Sequence, residues 1–155
     1  LLSPRGVGRE AWTQGKFPNP IERSMALIGT TVDSGRVWDV MTVVGRRAES
    51  QWRVAGRERA GILAAYAALY QPAIEAVVAV DPPASHLPGL ARLAGTPEEK
   101  YGPPLLNVLR VLDIPEALGC LAPRRLTLIG AKDAAFERTA ALYRAAGAAD
   151  HLERK

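Results

Sequence analysis

The sequence is poor in the residues that build disulfides and metal sites. Its 155 residues include one cysteine, Cys120, and two histidines, His86 and His151. A lone thiol excludes an internal disulfide, and one thiol with two imidazoles is too few for the usual cysteine- and histidine-rich metal sites. We therefore expect no structural metal and no cofactor of another kind.

Long apolar runs and concentrated charge of one sign are also missing. No stretch reaches the length of a membrane-spanning helix, and the first residues do not resemble a signal peptide. The net charge is +4, but the basic residues are scattered, as at Arg46–Arg47 and Arg124–Arg125. This distribution is typical of solvated arginines, and we expect neither a nucleic-acid partner nor a membrane partner.

The sequence does have the composition of a globular domain. Hydrophobic residues make up 48% of it and charged residues 23%, which suits a single domain with one buried core. Apolar, β-branched runs predict strands at 52–55, 73–80 and 125–130, and the residues from His151 onward can begin a fourth. Leu1 and Leu2 have the pattern of a strand end.

Helical patterns occupy much of the remaining chain. They cover 20–30, the stretch from Val37 to Val44 with Asp33 or Ser34 as its cap, the residues after Gly61, 105–112, 114–121, and the stretch from Phe136 to Tyr143. Residues 84–104, rich in Gly and Pro, predict a long surface excursion.

Strands joined by helices predict an α/β fold. The expected architecture is a mostly parallel sheet with helices on both faces, a three-layer sandwich. Both ends of the chain fall inside this architecture, so residues 1–155 are expected to form a single partial domain, truncated at both ends. An incomplete sheet has exposed edges, which predicts self-association.

The segment 52–70, WRVAGRERAGILAAYAALY, combines a strand, a sharp turn and a helix. Gly56 ends an apolar run, Gly61 follows five residues later, and an Ala- and Leu-rich helix pattern comes next. This is the arrangement of the nucleophile elbow of hydrolases, in which small residues let the chain turn tightly. The tip of the turn, where a serine would be the nucleophile, is Glu58.

Three motifs together resemble the α/β-hydrolase superfamily. They are Ser3-Pro4-Arg5-Gly6-Val7-Gly8, Val54-Ala55-Gly56-Arg57-Glu58-Arg59-Ala60-Gly61 and Leu128-Ile129-Gly130-Ala131-Lys132-Asp133, in the family's order and spacing. Bacterial acetyl xylan esterase-like and dienelactone hydrolase-like members are especially similar. The resemblance implies an α/β-hydrolase-like fold, acyl-ester hydrolysis, an ester or carbohydrate small-molecule ligand, and a location compatible with secretion or the periplasm.

The resemblance also assigns family roles to positions of this chain. Glu58 occupies the position of the nucleophile, and Asp133, after the next-to-last strand, occupies that of the acid. The backbone N–H of Arg59 corresponds to one oxyanion donor, while the second donor falls before Leu1 and the catalytic histidine beyond Lys155. The catalytic serine and histidine are thus not found, which implies an esterase-related domain that is inactive as this chain.

Glu58 itself has several physical interpretations. A glutamate does not replace a serine, whose hydroxyl loses its proton to a neighbouring base. A carboxylate can attack carbon, but glutamate is one methylene longer than the aspartate that some hydrolases of this fold use, and attack geometry tolerates little misplacement. Its charge also suits a helix N-terminus between Arg57 and Arg59. A degenerate site, a carboxylate nucleophile and a structural anion all stay open.

Three other candidates have two interpretations each. Asp133 is either a triad-type acid or the N-cap of the following helix. His86 lies past the carboxyl end of a predicted strand, where open α/β sheets bind ligands, so it is either a site-loop residue or an exposed loop histidine. Asp81, which ends that strand, is either an alternative acid or a turn residue. His151 comes too early for the family's catalytic histidine.

Two functional classes therefore remain. One is an ester hydrolase-related domain whose catalysis is lost or carried by Glu58, and the other is a non-catalytic binding or scaffolding module that keeps the fold and its crevice. A nucleotide-binding domain is disfavoured, because the turn from Gly56 to Gly61 lacks the G-x-G-x-x-G pattern and the lysine of a phosphate-binding loop.

Overall fold

The computed structural model describes residues 1–8, 11, 20–47, 49–87 and 101–155. The helices in these ranges are α1 (Pro20–Leu27), α2 (Val32–Gly45), α3 (Arg59–Tyr70), α4 (Ile114–Gly119) and α5 (Phe136–Ala145). The strands are β1 (Trp52–Arg57), β2 (Ile74–Val80), β3 (Arg125–Ile129) and β4 (Leu152–Arg154), and single 3₁₀ turns lie at Val108–Arg110 and Ala149–His151. None of these helices has the length and apolarity needed to span a membrane.

The four strands form one parallel sheet in the order β1-β2-β3-β4. Helix α3 connects β1 to β2, α4 lies between β2 and β3, and α5 connects β3 to β4. Because each crossover advances by one strand in the same direction and such crossovers are right-handed, these three helices lie along one face of the sheet. The predicted α/β class, the parallel sheet and the fourth strand are confirmed.

The two faces of the sheet differ in burial. Val77 of β2 pairs with Val54 of β1 and with Leu126 of β3, and Val77 and Leu126 are buried in the core. The side chains of Arg53 and Ala55, which alternate with Val54 along β1, are exposed. Successive side chains of a strand point to opposite faces, so the helices cover the face that bears Val77 and the other face is more open.

Helix α3 is the central packing element of the core. Every residue from Gly61 to Ala68 is buried, and the helix packs against β1, β2 and α2. Its small residues permit a close approach to the sheet, since a Cβ on Gly61 would lie 3.1 Å from the Cα and Cβ atoms of Ala79 in β2. A side chain at position 61 would push the helix away from β2, so this glycine sets the distance between them.

The predicted cap of helix α2 is wrong. The N-cap is Thr31, whose hydroxyl accepts a hydrogen bond from the Ser34 N–H, while the Thr31 N–H donates to the Ser34 hydroxyl, both at 3.0 Å. This reciprocal capping box satisfies two N–H groups at the helix start. Asp33 lies inside the first turn and is buried. The predicted apolar face is confirmed, because Val37 and Val44 are buried.

Three further predictions need correction. Leu1 and Leu2 are exposed and belong to no strand, since apolar residues without a neighbouring strand have no ladder to join. Helix α1 ends before residue 28, and Gly29 then takes a positive φ of 79°, a common way for a helix to end. The helix predicted over 105–112 is only the 3₁₀ turn Val108–Arg110, because Asn107 has a left-handed φ of 61°.

Candidate functional site

The elbow predicted from the sequence is formed. Glu58 lies alone between β1 and α3 with φ 54° and ψ −127°, a conformation that costs a residue with a side chain about 1–3 kcal/mol. Two hydrogen bonds hold the turn: the Glu58 N–H donates to the Val80 carbonyl at 2.7 Å, and the Gly61 N–H donates to the Glu58 carbonyl at 3.1 Å. Glu58 is therefore presented at the strained tip of the turn.

Gly56 makes this turn sterically possible. A Cβ at position 56 would collide with the backbone of Ala60 and Gly61. The first turn of α3 folds back over the end of β1 so closely that only a residue without a side chain fits there. Gly56 and Gly61 are thus required because the strand and the helix pack closely together.

The ends of three strands meet at one edge of the sheet. Glu58 follows β1, Asp81 follows β2 with φ 47°, and Gly130 follows β3 with φ 72°. The Arg57 guanidinium lies between the two acids, with Nε 3.6 Å from Glu58 Oε1 and Nη2 3.2 Å from Asp81 Oδ2. The Arg57 side chain is 71% exposed, so these ion pairs orient the carboxylates and add little to stability.

A cavity of about 740 Å³ opens at this edge of the sheet. Its position beyond the carboxyl ends of parallel strands is where open α/β sheets bind ligands, and its volume suits a small molecule. The polar and charged lining residues are Arg57, Glu58, Asp81, Ser85, Tyr101, Lys132 and Asp133. The apolar lining residues are Pro82, Pro83, Ala84, Leu87 and Phe136.

Asp133 lines the same cavity as Glu58, so the two family positions lie in one site. Asp133 Oδ1 accepts a hydrogen bond from the Ala135 N–H at 2.8 Å, and the Asp133 carbonyl accepts one from the Phe136 N–H at 3.2 Å. These bonds form a turn that leads into α5. The N-cap itself is Ala135, so Asp133 supports the start of the helix from two residues upstream.

His86 is buried, with 8% of its surface exposed, which contradicts the alternative of an exposed loop histidine. Its Nδ1 lies 2.8 Å from the Pro103 carbonyl and its Nε2 lies 2.8 Å from the Tyr66 hydroxyl. A carbonyl only accepts hydrogen bonds, so Nδ1 carries the proton and Nε2 accepts from Tyr66. The neighbours Ser85 and Leu87 line the cavity, but both ring nitrogens of His86 are already engaged.

The second histidine, His151, lies away from the cavity. His151 directly precedes β4, so it lies at the amino edge of the parallel sheet, opposite Glu58. Its Nδ1 donates to the Pro123 carbonyl. Within the described ranges, no group of three or more histidine, cysteine, aspartate and glutamate side chains is placed to hold a metal ion.

The residue after the elbow tip is anchored to helix α2 by a buried carboxylate. Arg59 Nη2 donates to Asp33 Oδ2 at 2.9 Å, and Arg36 Nη1 donates to Asp33 Oδ1 at 2.7 Å. Only 3% of the Asp33 side chain is exposed. The backbone N–H of Arg59, the family position of an oxyanion donor, belongs to the first turn of α3 and so has no acceptor within the helix.

Comparison with known proteins gives a structural likeness. No protein-family model and no curated protein matches the sequence. The structure is similar to that of a "putative acetyl xylan esterase" from Bacteroides fragilis, with a TM-score of 0.65 and 17% sequence identity. The fold is α/β-hydrolase-like. The match covers 97% of this chain, which spans 44% of the length of the Bacteroides fragilis protein.

Some residues that line the cavity or contact it could not be predicted from the sequence alone. Arg57 reaches Asp81 only because β1 and β2 are neighbours in the sheet. Tyr101 lines the cavity with its hydroxyl buried, and the described residues offer that hydroxyl no hydrogen-bond partner. The predicted parallel sheet was the feature of the sequence that could have indicated this site, because it brings Asp81 and Gly130 to the same edge as Glu58.

Proposed function

We propose that this domain binds an ester-bearing or carbohydrate small molecule in its hydrolase-like cavity without hydrolysing it. One observation carries the proposal: the elbow has the geometry that presents a nucleophile, but its tip is Glu58 and the chain's two histidines are engaged elsewhere. The ligand class is taken from the name of the Bacteroides fragilis protein. The cavity supports binding, and the residues in it argue against serine-type hydrolysis.

Serine-type hydrolysis needs a nucleophile that loses a proton and a base that accepts it. The carboxyl group of Glu58 is not a hydroxyl nucleophile of the serine type, and Arg57 lies beside it at 3.6 Å. The two imidazoles that would serve as bases are tied to other groups: His86 to Tyr66 and Pro103, and His151 to a carbonyl at the opposite edge of the sheet. Within the described residues, the elbow tip therefore has neither a serine hydroxyl nor a free histidine base.

The cavity offers matched partners for a hydroxyl- or ester-bearing ligand. Asp81 and Asp133 supply hydrogen-bond acceptors, and Lys132 supplies a donor, beside an apolar wall that includes Phe136. The buried Tyr101 hydroxyl has no partner among the described residues, and such an unpaired group costs about 1–3 kcal/mol. Less than 1 Å² of that oxygen is exposed, so a ligand oxygen reaches it only if the chain around Tyr101 shifts, and a hydrogen bond formed in that way would remove this cost.

Binding is tested by titrating the chain with an acetylated xylo-oligosaccharide and following amide chemical shifts by NMR. We expect shifts at the cavity-lining residues and a Kd that rises by up to about tenfold in Tyr101→Phe, the loss of one hydrogen bond. Tyr70→Phe is the matched control, because Tyr70 ends α3 and is 68% exposed. Absence of shifts in the native chain would refute this ligand class.

A second candidate function is hydrolysis through Glu58 as a carboxylate nucleophile. The observation that favours it is the position of the carboxylate, which is at the elbow tip, lines the cavity and is 39% exposed. Attack on an ester carbonyl would break its acyl–oxygen bond, expel an alkoxide that takes a proton from water, and leave an acyl group on Glu58 as a mixed anhydride, which water would then hydrolyse to regenerate the carboxylate. Intact-mass measurement after incubation with an activated acetyl ester tests this: an added acetyl group in the native chain, absent in Glu58→Gln, would support it.

A further inference from the structure

Two short segments form part of the cavity wall, and we call residues 82–87 and 101–104 the wall segments. Ser85 and Leu87 line the cavity from the first, and Tyr101 lines it from the second. The two segments are joined directly, because the Gly102 N–H donates to the Ser85 carbonyl at 2.9 Å. Whatever holds these segments to the helices behind them therefore also sets the shape of the cavity.

His86 links both wall segments to helix α3. It belongs to the first segment, its Nδ1–H donates to the Pro103 carbonyl of the second, and its Nε2 accepts from the Tyr66 hydroxyl of α3, both at 2.8 Å. Packing around the ring is tight, since a Cβ on Gly102 would lie 2.8 Å from His86 Nδ1 and 2.6 Å from Ile114 Cδ1. The imidazole is therefore enclosed and bonded at both nitrogens.

A carboxylate completes the attachment. Asp113, the N-cap of α4, accepts the His86 backbone N–H on Oδ1 at 2.8 Å and the Ser85 hydroxyl on Oδ2. The Leu87 N–H donates in turn to the Ser85 hydroxyl at 2.9 Å. The first wall segment is thus fixed to α4 through Asp113 and to α3 through the His86 ring.

Protonation of His86 would disturb this arrangement. A second proton on Nε2 removes the lone pair that accepts from Tyr66, so the bond persists only if the hydroxyl rotates to accept instead, and it places a positive charge in a buried position. The charged groups around the ring are Asp113, Asp33 and Arg59, the first two favouring the charged form and Arg59 opposing it. Burial is the largest influence, and it lowers the pKa of the His86 imidazole.

We propose that His86 is a pH-sensitive pin: its neutral ring holds the wall segments on α3, and protonation frees them from α3 and thereby loosens the Asp113 bonds that join the first segment to α4. The pin shapes the cavity of the proposed function, but its operation is a property of the unliganded chain. A ligand that binds only while the wall segments are attached to the helices would bind at neutral pH and dissociate in a mildly acidic medium.

The direction of the pH effect follows from the linkage between proton binding by His86 and release of the wall segments. The folded pKa of His86 is lowered below its ordinary value of about 6.5, so the open or unfolded state binds the proton more tightly. The contribution of the neutral pin is fully present above about pH 6.5. It is lost progressively as the pH falls from there toward the folded pKa.

The test is amide hydrogen exchange of the unliganded chain between about pH 7.5 and pH 5.5, with rates corrected for intrinsic pH dependence. We expect protection of the His86, Leu87 and Gly102 amides to fall by up to about tenfold, the ratio set by protonation of an exposed imidazole one pH unit below its pKa. Protection of the Asp81 amide, bonded to the Ile129 carbonyl in the sheet, should stay unchanged.

Non-titrating variants separate the pin from general acid effects. His86→Asn keeps a side-chain N–H near Nδ1, and His86→Gln keeps a polar group near Nε2, so at least one of the two bonds is retained in each. In either folded variant, protection of the wall amides should no longer change over this pH range. Native protection that stays constant, or an equal fall in native chain and variants, would overturn the proposal.

A spectroscopic readout holds even if neither variant folds. With only two histidines in the chain, long-range ¹H–¹⁵N spectra resolve both imidazoles, and His151→Gln assigns them. We expect neutral His86 in the form protonated at Nδ1, in agreement with its bond to Pro103. A His86 signal that titrates at or above about pH 6.5 would overturn the proposal.

Discussion

At the scale of single residues, the site combines two unfavourable features that the surrounding structure enforces. Glu58 adopts φ 54° at the elbow and Asp81 adopts φ 47° at the next strand end. Strained backbone of this kind persists where packing over-determines it, and it is often found at functional sites. The strain therefore marks this edge of the sheet as a candidate site.

Removing the side chain at the elbow tip should relieve this strain. We expect Glu58→Gly to raise the free energy of unfolding by about 1 kcal/mol, the balance between relief of a left-handed conformation and the added flexibility of glycine. The matched control is Glu75→Gly in β2, which we expect to lower it by about 1 kcal/mol. Urea denaturation measures both, and equal destabilisation by the two changes would contradict the strain argument.

Substitution of the buried Asp33 should lower the free energy of unfolding, in contrast to Glu58→Gly. Asp33→Asn should lower the free energy of unfolding by about 3 kcal/mol or more, because Arg36 and Arg59 would keep their charges without the buried partner. Asp39→Asn, which removes a more exposed partner of Arg5, should cost only about 1 kcal/mol. Equal effects in thermal or urea unfolding would show that burial of Asp33 has no special weight.

At the scale of elements, the strand–turn–helix unit depends on close approach. Gly56→Ala should lower the free energy of unfolding by about 2 kcal/mol or more, since the new Cβ would collide with the α3 backbone. At Gly45, the contact that a Cβ would make with the described residues is the flexible Gln71 side chain, at 3.3 Å. Gly45→Ala should therefore be neutral or slightly stabilising, and destabilisation of equal size in both variants would refute the packing argument.

Some elements of the fold were predictable from the sequence and others were not. Strand β2 and helix α3 were predictable because their composition and their packing agree. The helix expected over 105–112 failed because a single left-handed residue, Asn107, interrupts a pattern that is otherwise helical. The position of Asp33 was misjudged because its partner Arg59 lies 26 residues further along the chain. Local patterns carry no information on such a contact.

At the scale of the whole molecule, the open sheet is the main feature. β1 and β4 are the outer strands, and within the described residues no strand pairs with their outer sides. The Glu58 N–H bonds toward β2, and alternate residues of a parallel strand bond to the same side. The N–H groups of Arg53, Ala55 and Arg57 therefore point outward from β1.

Self-association through this edge remains a prediction. An antiparallel pair of β1 strands centred on Ala55 would place Arg53 opposite Arg57 of the second copy, and like charges in that position repel. We therefore expect weak, reversible dimerisation that strengthens as salt screens the arginines. Ala55→Pro, which removes only an outward N–H, should abolish it. A native chain that stays monomeric at high salt in light-scattering measurements would contradict the prediction.

The site was less predictable from the sequence than the fold. Motif order predicted Glu58 and Asp133 as site residues, and both line the cavity, while their roles stay predictions. The Tyr101 hydroxyl and the enclosure of His86 depend on segments far apart in sequence, joined by the Gly102 and Pro103 contacts. No periodic pattern in the sequence indicates contacts of this kind.

Hydrolysis of a short-chain chromogenic ester, measured for the native chain and for Glu58→Ser, decides whether the elbow is catalytic. We predict no turnover above the buffer rate in either, because the native elbow lacks a hydroxyl and the variant still lacks a histidine base beside it. Turnover by the native chain that disappears in Glu58→Gln would contradict the account and make the Glu58 carboxylate a catalytic residue.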